Sequence, residues 1–219
     1  MTSTTSRAAT TTTTGGARVP AIEMTGVYGV LVRTTTRRMF GQVPDSVGVL
    51  WNHPKVFKDL MGLGRKAEKW GALDPTLSTF AHMAAAAAVG CSFCLDLHYF
   101  LAHDHGLDET RAREVPRWRE SDVFTPTERR VMEYAEAMCR TPVEVSDELS
   151  AALLDELGPA GLVELAAKAA MMNATGRMNI ALGIRSQEFA ASCGLPPLAP
   201  RSTGTPTGSG AGEGGRLTA

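Results

Sequence analysis

Proline stands at the entrance to one apolar-periodic segment after another, and this pattern restricts the chain to helices before any other feature is weighed. Proline lacks a backbone N–H, so it is tolerated at the first helical position, where that donor has no intrahelical partner anyway. Pro54 precedes Val56, Phe57, Leu60, Met61, Ala67 and Trp70, which recur at helical spacing before Gly71. Asp74 and Pro75 start a second helix, which runs through an alanine-rich segment to Val89 and is interrupted by Gly90. A third carries Cys91, Cys94, Leu97 and Leu101, with Gly106 as a left-handed cap. Thr125-Pro126-Thr127-Glu128 reads as a capping box that opens a helix with Val131, Met132, Ala135 and Met138 on one side. Ser146 caps a further helix ending at Gly158. Pro159 then opens a long one, with Leu162, Leu165, Ala166, Ala169 and Asn173 on one face, running to about Gly183. Weak strand-like alternation is confined to residues 27–32. The expected fold class is all-α, a helical bundle.

The ends differ from the middle. Residues 1–18 contain a threonine run and a glycine pair, and residues 199–219 are Pro, Gly, Ser and Thr with almost nothing apolar. Neither buries enough surface to offset its ordering entropy, so both are expected to be disordered tails around a folded unit at 19–198. The first 17 residues lack the apolar stretch of a signal peptide, and the longest apolar run, 83–89, is far short of a membrane span. A cytoplasmic protein without a membrane partner is expected. Lys plus Arg number 22 against 23 Asp plus Glu, a balance that leaves no basic field for a nucleic-acid partner.

Four cysteines, Cys91, Cys94, Cys139 and Cys193, are too few for a disulfide scaffold in 219 residues. A close pair in a reducing compartment reads as redox or metal chemistry instead. Cys91-Ser92-Phe93-Cys94 is a CxxC, and His98 follows Cys94 by four positions, so on a helix all three share one face. Placed in the first turn after Gly90, the thiols meet unpaired backbone N–H groups that favour thiolate. A lowered thiol pKa, a partner cysteine and a proton carrier suit reduction of an electrophilic oxygen or sulfur. A structural pair of small buried residues is the plain alternative. A metal site is another, since two thiolates and an imidazole make three tetrahedral ligands, with His103 or His105 as an imaginable fourth. His105, however, lies about 10 Å along the axis from His98, too far for one ion to touch both. No metal is expected, and Leu95 in place of histidine after Cys94 excludes covalent haem. Cys139 and Cys193 lack close partners and read as plain thiols.

Several stretches together carry a family resemblance. Gly41-Gln42-Val43-Pro44, the His53-Pro54 helix start, Leu73-Asp74-Pro75 and Gly90-Cys91-Ser92-Phe93-Cys94-Leu95-Asp96-Leu97-His98 resemble the alkylhydroperoxidase D-like branch of the carboxymuconolactone decarboxylase family. So do Thr127-Glu128-Arg129-Arg130, Ala135-Glu136-Ala137-Met138 and Asn173-Ala174-Thr175-Gly176-Arg177-Met178-Asn179, the whole spanning about residues 39–184. The resemblance implies an all-helical fold, a homo-oligomer (often trimeric or hexameric) and thiol-dependent peroxidase activity. It also implies roles: Cys94 as peroxidatic thiol, Cys91 as resolving thiol and His98 as proton relay. On the residues alone, Cys91 lies nearer the helix start and is the other candidate for the lower pKa.

Two departures stand out. The family's peroxidases place a glutamate twelve residues before the first cysteine, where this chain has Thr79, and its best-known member has a histidine where this chain has Phe93. Threonine cannot act as a carboxylate base. His82, one turn after Thr79, is the candidate replacement, against the alternative of a structural histidine on an alanine-rich helix. Asp96 points away from Cys94 on a helix and reads as solvated or salt-bridged. Glu128, Glu136 and Arg177 read as surface or interface contacts, Asn173 and Asn179 as bundle hydrogen-bonders.

The leading expectation is therefore an oxidoreductase without bound cofactor, taking a hydroperoxide substrate and an external dithiol reductant. The alternatives are a non-redox enzyme of the decarboxylase branch, whose members generally lack the CxxC, and a non-catalytic redox-sensing oligomeric module.

Overall fold

The computed structural model describes residues 16–200. Its helices, among the described residues, are α1 (Gly26–Phe40), α2 (Asp45–Leu50), α3 (Pro54–Ala67), α4 (Pro75–Val89), α5 (Ser92–Asp104), α6 (Glu109–Glu114), α7 (Pro126–Met138), α8 (Asp147–Leu182) and α9 (Phe189–Ser192), with a 3-10 turn at Val115–Arg117. No strand occurs among the described residues, and no helix is long and apolar enough to cross a membrane. Apart from residues 16–18 and 199–200, the two expected tails lie outside the described residues.

The proline-led helices start where their chemistry dictates. Asp74 caps α4 by accepting from Thr76 N and Leu77 N at 2.8 and 3.2 Å. Thr125 and Glu128 close a reciprocal capping box on α7, satisfying two end donors at once. Glu128 also pairs with Arg111, whose guanidinium lies over the Phe80 ring, so the capping carboxylate ties α6 to α7 and α4. It is buried, not the surface contact its sequence suggested.

The core is built on α4. Phe80, Ala81, Met83, Ala84, Ala85 and Ala86 are buried between α5, α7 and α8. Alanine lets three neighbours approach one axis, while Phe80, Met83, Leu153 and Leu165 fill the remaining volume. The helix α8 breaks at Gly158, whose φ of 67° is left-handed and opens the way for Pro159, so the two expected helices run on across a kink. Beyond it, Glu164 Oε2 accepts from Ala72 N and Leu73 N at 2.6 and 3.2 Å. Lys168 Nζ lies 3.1 Å from Glu164 Oε1 and donates to Ser78 Oγ at 2.8 Å. This buried ion pair fixes α8 to the start of α4.

The strand-like signal at 27–32 is overturned, since those residues lie in α1. Val27 is 91% exposed, so alternate side chains bury no common sheet face. The buried contact of α1 is Gly29, where a Cβ would stand 2.8 Å from Met24 C and 3.0 Å from Trp51 Cζ2. Trp51 in turn stacks on Tyr28 and meets Phe57 edge-on, in a small second core with Met24 and Val47.

Both ends of the described chain are docked. Arg18 N donates to Leu182 O, and its guanidinium reaches Ala181 O at 2.7 Å, closing the C-terminus of α8. At the other end, Tyr99 Oη donates to Pro196 O at 3.0 Å, Arg113 Nε to Pro197 O at 2.7 Å, and Ala199 N to Arg113 O at 3.1 Å. Residues 195–199 form a strap across α5 and α6.

Candidate active site

The α4–α5 junction shapes the site. Gly90 adopts φ 76°, its N–H reaching Ala87 O and the N–H of Cys91 reaching Ala86 O, at 3.1 and 3.0 Å. This is the Schellman closure that glycine permits, and it turns the chain so that Cys91 becomes the N-cap of α5. Cys91 is therefore just outside the helix and Cys94 in its first turn. Cys91 Sγ accepts from Cys94 N at 3.3 Å, and the two sulfurs lie 2.6 Å apart, both thiols free and buried. From α8, Asn179 Nδ2 donates to Cys94 Sγ at 3.4 Å. Gly176, one turn earlier, admits this approach, because a Cβ there would stand 2.7 Å from Val89 Cγ2 and 3.4 Å from Cys91 Cβ.

The two thiols are electrostatically unequal. The thiol of Cys94 donates to Cys91, and with the backbone N–H of Cys94 and the Asn179 amide this outweighs burial, holding Cys91 down to about 7 from an ordinary 9.0. Cys94 is pushed up, first by that donated bond, then by burial and by the charge on Cys91. Of the two, Cys91, the sulfur at the helix cap, is the thiol whose pKa is lowered.

His98 and His82 come together. Their rings lie 4.7 Å apart, tilted by 41°. Burial and the charge of neighbouring His105 push His98 down to about 4 from 6.5. Burial, His98 and Lys168 push His82 well down too, so both imidazoles are neutral near pH 7. Among the described residues neither sulfur takes a hydrogen bond from a histidine. Thr79, at the position of the missing glutamate, spends its hydroxyl on Pro75 O at 2.9 Å. Phe93 is a core side chain, edge-on to Phe189.

Asp96 is not solvated. It is buried and accepts from Ser186 Oγ, Phe189 N and Ala190 N at 2.7, 3.0 and 3.1 Å, clamping the start of α9 to α5. Arg177 donates to Asn173 Oδ1 and Cys139 O, both at 2.7 Å, joining α7 to α8. Glu136 receives the Trp118 indole at 2.9 Å and pairs with Arg119. Cys139 is buried and pushed up to about 11, chiefly by burial, while Cys193 is exposed. No group of three or more His, Cys, Asp or Glu among the described residues is arranged to hold a metal ion.

A cavity of about 250 Å³ opens beside the pair, bounded by Ala86, Gly90, Cys91 and Leu95 on one side and by Pro116 and Leu198 on the other. A second, of about 370 Å³, adjoins it under the strap and shares Ser92, Leu95 and Leu198.

An all-α bundle of this kind is the fold of alkylhydroperoxidase D-like proteins. The chain belongs to the carboxymuconolactone decarboxylase family, whose model matches residues 54–137. The uncharacterized protein YnjA of Escherichia coli (strain K12) is 30% identical over 161 residues, 73% of this chain and 87% of that protein. The fold is similar to that of a peroxidase-related protein from Ralstonia eutropha JMP134, described as an alkylhydroperoxidase AhpD core. That likeness has a TM-score of 0.64 at 22% identity, over 72% of this chain and 84% of that one. It is also similar to the debrominase Bmp8 in complex with 2,3,4-tribromopyrrole, with a TM-score of 0.69 at 16% identity, over 80% and 96% of the two chains. At such identities these likenesses carry the fold alone.

Proposed function

We propose that this chain is a thiol-dependent oxidoreductase that reduces a hydroperoxide by cycling Cys91 and Cys94 between dithiol and disulfide. The observation that carries this reading is the pair itself: two free, buried sulfurs 2.6 Å apart at the start of α5, one of them held as an acceptor of hydrogen bonds. A thiolate attacks the distal oxygen of the hydroperoxide, the O–O bond breaks, and the alcohol leaves with a proton. The second thiol condenses with the resulting sulfenic acid, forming the S–S bond and releasing water. An external dithiol takes over the oxidation by exchange and restores the pair, with no bound cofactor. His98 lies one helical turn from Cys94 with its ring beside that of His82, and in this reading it is the proton-relay residue.

The test is multiple turnover with dithiothreitol as donor and hydrogen peroxide or cumene hydroperoxide as oxidant, with a bromopyrrole as a third oxidant. The account expects sustained peroxide consumption that falls to the uncatalysed rate when both cysteines are serine. A sensing module forms the disulfide once and does not turn over. An activity toward lactone acids that survives the double substitution would establish the decarboxylase alternative.

A further inference from the structure

Cys91 and Cys94 are 1% and 2% exposed, so a reagent that meets them must come through a neighbouring space. The cavity of about 250 Å³ beside Cys91 is such a space, and Leu198 and Ala199 of the strap form one side of it. Strap residues 195–198 likewise line the second cavity, so one short segment roofs both. Its sequence, Leu195-Pro196-Pro197-Leu198-Ala199-Pro200, is neither helix nor strand. Three of these six residues are prolines without a backbone N–H, so the segment is stiff and cannot hold itself down with a hydrogen-bonded ladder of its own. It leaves α9 at Gly194, whose φ of 78° is left-handed and around which there is open space. The base below this turn is fixed, because Asp96 clamps the start of α9 to α5. The bonds on the strap itself come from elsewhere: Tyr99 Oη of α5 donates to Pro196 O, Arg113 Nε of α6 to Pro197 O, and Ala199 N to Arg113 O. A fixed base, a glycine turn, a stiff segment, a small latch and unfilled volume underneath are the parts of a hinged cover.

We infer that residues 195–199 are a flap over the dithiol, hinged at Gly194 and latched by Tyr99 and Arg113, which swings aside to admit the external dithiol reductant and stays shut over small reactants. This rests on the thiol-redox reading above and concerns its reductive half. In that half a thiolate of the donor attacks one sulfur of the Cys91–Cys94 disulfide, the S–S bond breaks, and the other cysteine leaves as a thiolate that takes up a proton. The donor's second thiol then attacks the mixed disulfide, closing the donor's own disulfide and releasing the second cysteine. The mixed disulfide holds the donor against the buried pair, and the strap stands where the donor's body must lie.

The experiment compares the unaltered protein with a Tyr99→Phe, Arg113→Ala double variant, which keeps the buried ring and removes both side-chain bonds of the latch. On the scale of roughly 150 Å³ for a benzene ring, the cavity takes iodoacetamide but not a fluorescein maleimide. Peptide-mapped labelling of the reduced proteins should show the maleimide reaching Cys91 or Cys94 about tenfold faster in the variant, with iodoacetamide within about twofold. Exposed Cys193 should label equally in both proteins, and buried Cys139 in neither, which separates an open flap from a loosened bundle. Reduction of the Cys91–Cys94 disulfide by dithiothreitol should quicken severalfold in the variant, while loss of thiols to hydrogen peroxide stays within about twofold. In the unaltered protein, a measurement free of any folding defect, the Ala199 amide should exchange with deuterium ahead of the Tyr99 amide inside α5. An unchanged maleimide rate, or Ala199 and Tyr99 amides that exchange together, overturns the flap. A peroxide step that quickens as much as the reduction overturns its selectivity for the donor. Failure of the unaltered protein to lose two thiols per peroxide overturns the redox reading, and is told apart because the labelling and exchange results do not depend on turnover.

Discussion

Asn179 is separated from Cys94 by 85 positions in the chain, yet its side-chain amide donates a hydrogen bond to the Cys94 sulfur. Its amide favours the thiolate form of both cysteines. Asn179→Leu, similar in volume but without a donor, should raise the pH at which the pair becomes reactive by about one unit, slowing alkylation at pH 7 about fivefold. A pH profile of iodoacetamide labelling reads this directly, and an unshifted profile would reduce the asparagine to a packing role. The pairing of Cys91 with Cys94 was legible in the sequence, because three residues is a fixed distance on a helix start. The nearness of His82 to His98 was not, since they lie on different helices and only the turn at Gly90 brings them together. Asp96 was misread for a related reason. Facing away from Cys94 does not mean facing water when another segment, here α9, folds over that side.

Two glycines hold the elements of the site in register by different means. Gly90 needs its left-handed φ but has open space around it, so Gly90→Ala should cost on the order of 1–2 kcal/mol of stability through backbone strain. Gly176 is ordinarily helical, but its missing Cβ admits Val89 and Cys91. Gly176→Ala should cost a similar amount, about 1–3 kcal/mol, by overpacking, and should also move Cys91 and so alter its alkylation rate. Urea denaturation combined with alkylation kinetics separates the two cases, and a Gly176→Ala protein with unchanged thiol kinetics would contradict this account of how α8 meets the junction. The helices that begin with proline or a capping box were readable because start chemistry and period agree. The short ones, α2 and α6 at 6 residues and α9 at 4, are too brief for a period to emerge. The helix α1 was obscured because Val27 and Val30 face outward while a glycine makes its buried contact.

Across the whole molecule, acid should act first through the histidine pair. His98, held down to about 4 mainly by burial, and His82, held down in the same direction, stay neutral in the folded state. The unfolded chain protonates both near 6.5. Stability is therefore complete above about pH 6.5 and declines as pH falls toward 4, by about 3 kcal/mol at most for His98. The carboxylates of Glu128 and Glu164, pushed below 4.5 in the fold chiefly by their Arg111 and backbone or Lys168 bonds against burial, lose their contribution only at lower pH. Urea midpoints between pH 7.5 and 5 should fall steeply in the unaltered protein and less steeply in His98→Asn. Parallel slopes would show that the pair is not the acid-sensitive element.

The central claim is that Cys91 and Cys94 form one redox unit, and counting thiols tests it most directly. The fully reduced protein is treated with one equivalent of hydroperoxide per chain, its remaining thiols are titrated, and its peptides are mapped. The account predicts a loss of two thiols and a mapped Cys91–Cys94 bridge, with Cys139 and Cys193 still free. Four surviving thiols, or a bridge that includes Cys139 or Cys193, would contradict it.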